Sequence, residues 1–211
     1  GVGASISADA GIDFITVSAS ALTKHLDLLL DIFSQVILEP AFSEDEFKKI
    51  IPQMMAGIEQ EKGDPGTIAS KMSRKVIYGE RHPYALDPTA ESVKSINVED
   101  IKKYFRTYFV PDNSSLAIIG DVDSAKVVRA FQKIFKNWKK SDKPVKIEIP
   151  ASKPMPLGLY FIERPGSVQS NISFTTKGLP YNDKDYDKLN LASNVISGGI
   201  SGRLFRTIRE E

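Results

Sequence analysis

Between residues 139 and 158 the chain reads KKSDKPVKIEIPASKPMPLG, and this stretch limits the folds open to the rest more than any other. Proline fixes φ and has no N–H to donate, so a segment carrying Pro144, Pro150, Pro154 and Pro156 continues neither a helix nor a central strand. Its lysines and serines favour solvent. We read it as an interdomain linker. It divides the 211 residues into a first module over 1–140, a linker over 141–157 and the start of a second module over 158–211. A chain of this length has material for one large domain or two small ones, each with a real core.

Apolar periodicity sets the elements on either side. Residues 3–10 and 13–21 alternate as paired strands across Gly11. TKHLDLLLDIFSQVIL follows as a helix with Leu26, Leu29, Leu30, Phe33 and Ile37 on its inner face. A second helix starts at Ser43. Its spacing to Glu46 is that of a capping box, and Glu44 and Asp45 add charge where the helix dipole favours it. Phe47, Ile50, Ile51, Met54 and Ile58 give this helix an apolar face, Pro52 predicts a kink, and Gly57 falls at the edge of the inward face. Gly63, Asp64 and Pro65 form a turn, and IASKMSRKVIYG makes a third helix ending at Gly79.

His82–Pro83 opens a loop, and Asn97 with Asp100 caps a helix carrying Ile101, Tyr104, Phe105 and Tyr108. SSLAIIGDV predicts a buried strand. DSAKVVRAFQKIFKNW predicts a helix with Val128, Phe131, Ile134, Phe135 and Trp138 inward. Beyond the linker come strands near 158–165 and 170–179, a helix over 186–197, a turn at Gly198–Gly199 and a final helical start. Strands and helices without strict alternation argue for an α+β fold.

Composition removes several function classes. Hydrophobic residues at 41% and charged residues at 26% describe an ordinary globular chain. A formal net charge of +1 gives no reason to expect nucleic acid or an anionic membrane as partner. The densest lysine cluster (Lys139, Lys140, Lys143, Lys146) sits in the linker and reads as a solvated strap. With no cysteine there are no disulfides and no thiolate zinc sites, and the compartment stays open. No apolar run is long enough for a membrane-spanning helix. The chain opens on GVGASIS without a methionine and closes inside RLFRTIREE, so we expect a piece of a longer protein. No Ser-His-Asp or Cys-His set and no P-loop can be assembled, and GGISGR lacks the spacing of a dinucleotide fingerprint. The two histidines, His25 and His82, are far apart and belong to no metal-binding pair, and metal sites need convergent ligands.

The ordered series GASISADAG–DFITVSASAL, TKHLDLLLDIFSQVILEPAFSEDE, QEKGDP, YGERHPYA, VEDIKKYFRTYFVPDNSSLAIIGDVD and SGGISGRLFRTIREE resembles the insulinase or mitochondrial-processing-peptidase family, the zinc peptidases with an inverted metal-binding motif. The resemblance implies two similar α+β modules, each an antiparallel-rich sheet packed with helices, the second cut short. In active members an HxxEH helix supplies two histidine ligands and a general base, and a later glutamate completes the site. Three ligands leave the fourth position to the water that zinc acidifies. This chain contains no HxxEH. Anchored on the Asp64–Pro65 turn, the glutamate position falls at Gly57, which offers no side chain, and the histidine pair would lie before Gly1. Glu61 returns to the same helix face one turn later, about 6 Å along the axis.

The resemblance also marks two places for substrate. Arg209 matches an arginine that pairs with a later tyrosine to bind the peptide backbone and steady an oxyanion, a task that suits the fixed fork of guanidinium donors. Ser7, Ala8 and Asp9 match the edge strand whose main chain accepts a peptide as an added strand. These residues imply a substrate-holding half with no zinc of its own. Its partner would be a catalytic HxxEH-bearing subunit or half that carries the zinc, as in a heterodimer, and its substrates unfolded peptides. Two alternatives stand beside this reading. One is an active endopeptidase with HxxEH upstream and Glu61 as displaced ligand. The other is a structural assembly subunit.

Overall fold

A tight antiparallel hairpin opens the chain in the computed structural model, which describes residues 2–142 and 145–210. Strand β1 (Ser5–Ala10) pairs with β2 (Ile15–Ser20) in the register Ser5↔Ser20 through Ala10↔Ile15. The Gly11 amide donates to the Phe14 carbonyl at 2.8 Å and closes the turn. After a short 3-10 turn, α1 (Leu26–Leu38) buries Leu30 and Ile37 and half-buries Leu26, Leu29 and Phe33, the face its periodicity predicts.

Helix α2 (Glu44–Glu61) begins where the Ser43 hydroxyl accepts the Glu46 amide at 3.5 Å. The return half of the capping box is replaced, because the Glu46 carboxylate takes Lys49 at 2.6 Å. The helix runs through Pro52. Its inner face is rotated slightly from expectation: Phe47, Ile51, Met55 and Ile58 turn inward, while Ile50 and Met54 stay exposed. Helix α3 (Pro65–Tyr78) starts directly after the turn, with Pro65 at its first position and the Asp64 carboxylate accepting the Gly66 and Thr67 amides at 3.2 and 3.0 Å.

Short α4 (Ala90–Ser95) and α5 (Val98–Tyr108) are each entered through a reciprocal capping box, Thr89 with Ser92 and Asn97 with Asp100. Together with α6 (Ser124–Ile134) they bury Val93, Val98 and Val127, and Val110, just after α5, is buried as well. In α6 the buried valine is Val127 and its neighbour Val128 is exposed. Ring contacts extend this core, Phe33 with Phe131, Phe131 with Phe135, and Phe135 with Trp138. The Trp138 indole donates to the Phe109 carbonyl at 3.2 Å. Phe42 meets Phe105 of α5 edge-on.

Three predicted strands do not form among the described residues. Residues 114–122 carry no strand and lie open, with Ile119 97% exposed. Residues 158–165 and 170–179 are likewise unpaired, and Leu159, Phe161, Ile172 and Phe174 remain exposed. An alternating pattern becomes a strand only against a hydrogen-bonded neighbour, and the described sheet consists of β1 and β2 alone.

Helix α7 (Tyr186–Ser197), the Gly198–Gly199 turn and α8 (Arg203–Phe205), which runs on as a π-helical stretch over Arg206–Glu210, close the chain as predicted. The fold is α+β. Residues 141–157, read above as a linker, carry no helix or strand among their described members, yet the Lys153 and Met155 amides donate to the Tyr78 and Val76 carbonyls of α3, each at 2.9 Å. Lys143 of the lysine cluster lies outside the described residues.

Candidate functional site

Gly57 sits in α2, half-buried, and a Cβ built there meets nothing within 4 Å. The position has room for a side chain but supplies no ligand atom. Glu59 points outward and pairs with Lys62 at 2.6 Å. Glu61 pairs with Lys71 of α3 at 2.6 Å, and Lys71 stands 4.0 Å from Asp87, which takes Arg74 at 2.6 Å. The carboxylate that a shifted alignment would offer to zinc is therefore committed to a lysine.

The histidines are equally committed or isolated. His25 ends the 3-10 turn ahead of α1. His82 is 6% exposed, its Nδ1 accepts the Tyr84 amide at 3.1 Å, and its Nε2 lies 3.0 Å from the Pro150 carbonyl. A carbonyl only accepts, so Nε2 carries the proton and both ring nitrogens are used. Tyr78 stacks on the imidazole at 5.0 Å and Tyr84 meets it edge-on at 5.1 Å. No group of three His, Cys, Asp or Glu side chains converges as a metal site among the described residues. The side chains of Glu61, His25 and His82 do not converge in a way that fits a zinc ion.

Ser7, Ala8 and Asp9 face Ser18, Val17 and Thr16 across the hairpin. All three are exposed, and among the described residues β1 has no strand on its outer side. That edge has the geometry for one more strand. Between the hairpin turn (Ile12, Asp13), α3 (Arg74, Ile77, Tyr78) and Tyr84 lies an open cleft of about 440 Å³. The Tyr84 hydroxyl donates to Asp13 at 2.6 Å, and this bond, with some burial, raises the phenol above its ordinary range.

Arg209 lies exposed in the final π-helical stretch with its guanidinium 5.3 Å from the Phe205 ring centroid, a cation–π contact along its own helix. No hydrogen bond or ion pair joins Arg209 to Ser7, Ala8 or Asp9 among the described residues. Apolar periodicity does not reveal the Tyr78–His82–Tyr84 cluster. Its one sequence signal is the run Tyr78-Gly79 followed by His82-Pro83-Tyr84, which packs three rings around a helix end.

Two family models match the chain, "Insulinase (Peptidase family M16)" over residues 1–75 and "Peptidase M16 inactive domain" over residues 95–211. Among curated proteins, it is 23% identical to an uncharacterized zinc protease, YmxG, of Bacillus subtilis, over 100% of this chain and 50% of that one. It is 29% identical to mitochondrial-processing peptidase subunit beta of Saccharomyces cerevisiae, over 84% of this chain and 38% of that subunit. A solved peptidase M16 inactive domain from Pseudomonas fluorescens shares the fold, with a TM-score of 0.81 at 24% identity over 100% of this chain and 51% of that one. The chain thus spans about half the length of the curated relatives it matches.

Proposed function

The chain belongs to peptidase family M16, the insulinase family, and from that premise we propose that it is the half of a metalloendopeptidase that holds peptide and does not cut it. The observation that carries the reading is the match of residues 95–211 to the inactive domain of the family. Gly57, with open space and no donor where a glutamate ligand would stand, agrees with it.

In this reading the first module (1–140) presents the outer edge of β1 to an unfolded peptide. Ser7, Ala8 and Asp9 donate and accept through the main chain, and their small or short side chains keep the approach open. Arg209, in the second module (158–211), adds a forked donor for a peptide carbonyl, and the linker over 141–157 sets the span between the two. A catalytic HxxEH-bearing half or subunit closes the chamber, brings the zinc and performs the hydrolysis. No step of the cleavage is assigned to residues of this chain.

The test is peptide hydrolysis by the full-length protein with zinc, alone and mixed with an HxxEH-bearing partner. We expect no turnover alone and turnover in the mixture. In the mixture Arg209→Ala should raise KM more than it lowers kcat, since uniform binding is lost. Full hydrolysis by the protein alone contradicts the reading and favours an active enzyme using Glu61. A stable mixture in which Arg209→Ala changes nothing favours an assembly subunit.

A further inference from the structure

Residues 150–155 of the strap are fastened to the end of α3 and the loop after it, and we propose that His82 is the latch. Three observations meet there. The His82 Nε2–H donates to the Pro150 carbonyl at 3.0 Å while Nδ1 accepts the Tyr84 amide, so a single neutral tautomer ties the strap to the loop after α3. The Lys153 and Met155 amides continue the attachment along the last turn of α3, through the Tyr78 and Val76 carbonyls. Gly79 has φ +89, and a Cβ there would run into the Lys153 carbonyl, so the strap lies against bare backbone that only glycine provides.

The same helix seats the start of the second part of the chain, since the Ser73 and Ser173 hydroxyls bond at 3.1 Å. Lys177 reaches the Ser152 hydroxyl on the strap at 3.5 Å. Latching the strap therefore fixes where residues 158–210 start relative to α3, and opening it frees them. His82 is a positioning residue in this scheme, and its pairing is independent of whether the chain binds peptide.

Two substitutions separate the two ring nitrogens. Asn reproduces the Nδ1 acceptor for Tyr84 but does not reach Pro150, and Gln places a donor near the Nε2 position. Amide hydrogen exchange of the full-length protein reads the latch directly. In the unsubstituted protein the Lys153 and Met155 amides should be protected. His82→Asn and Gly79→Ala should speed their exchange by roughly tenfold or more, while α5 stays protected as the internal control of folding. His82→Gln should restore protection. Unprotected Lys153 and Met155 amides in the unsubstituted protein overturn the proposal without any variant. Unchanged exchange in His82→Asn, or no recovery in His82→Gln, overturns the assignment to His82.

Discussion

At Gly57 the backbone is helical and the surroundings are empty, so glycine is retained there at a cost in chain entropy and not for lack of space. Gly57→Ala should therefore stabilise the protein by about 0.5–1 kcal/mol, the usual helix-interior difference. Urea denaturation checks this, and an unchanged or lowered midpoint would contradict it. The same residue shows how legible the site was. That Gly57 brings no ligand could be read from residue identity, because glycine has no donor in any fold. That Glu61 is held by Lys71 could not, since the contact joins different helices across the α2–α3 turn. His82 is a similar case. The residue type admitted a ligand, and only the placement of Pro150, 68 positions later, shows both nitrogens engaged.

Among the elements, helix starts were the best-read features because a cap is local: Asn97 and Asp100 need only each other. The Asp64 cap makes a prediction about pH. Hydrogen bonds from the Thr67 hydroxyl and from the Thr67 and Gly66 amides hold its carboxyl below the usual range, and the Ser141 amide and hydroxyl do the same for Asp112. A lowered folded-state value means that the ionised group stabilises fully above the ordinary carboxylate value near ~3.9 and loses this as pH falls through the lowered one. Stability should hold from neutral pH to about 5 and decline below about 4. Asp64→Asn should be less stable at neutral pH and show a smaller decline on acidification. Urea midpoints at neutral and acid pH measure both, and a decline of the same size in the variant contradicts the assignment. Strands were read least well for the converse reason. The alternation in SSLAIIGDV and in residues 158–179 records which faces would be covered, and a strand exists only when another segment supplies its ladder. Residues 3–21 carried their own partner, and the hairpin there was legible.

Among the described residues the buried hydrophobic side chains lie in the helix-rich part: Leu30, Ile37, Ala85, Val93, Val98, Val110 and Val127. The later part leaves Leu159, Phe161 and Phe174 open and meets the rest through α3 and the strap. The proline- and lysine-rich composition of residues 139–158 does not reveal that Lys153 and Met155 dock on α3, because docking rests on backbone amides that any sequence possesses. The first of the matching relatives are about twice the length of this chain. The proposal that this chain carries no zinc of its own is tested most directly by metal content. Plasma mass spectrometry on the full-length protein, alone and in complex with an HxxEH-bearing partner, should find almost no zinc in the first sample and about one per complex in the second. About one zinc per chain in the protein alone would contradict the account and make Glu61 the next residue to substitute.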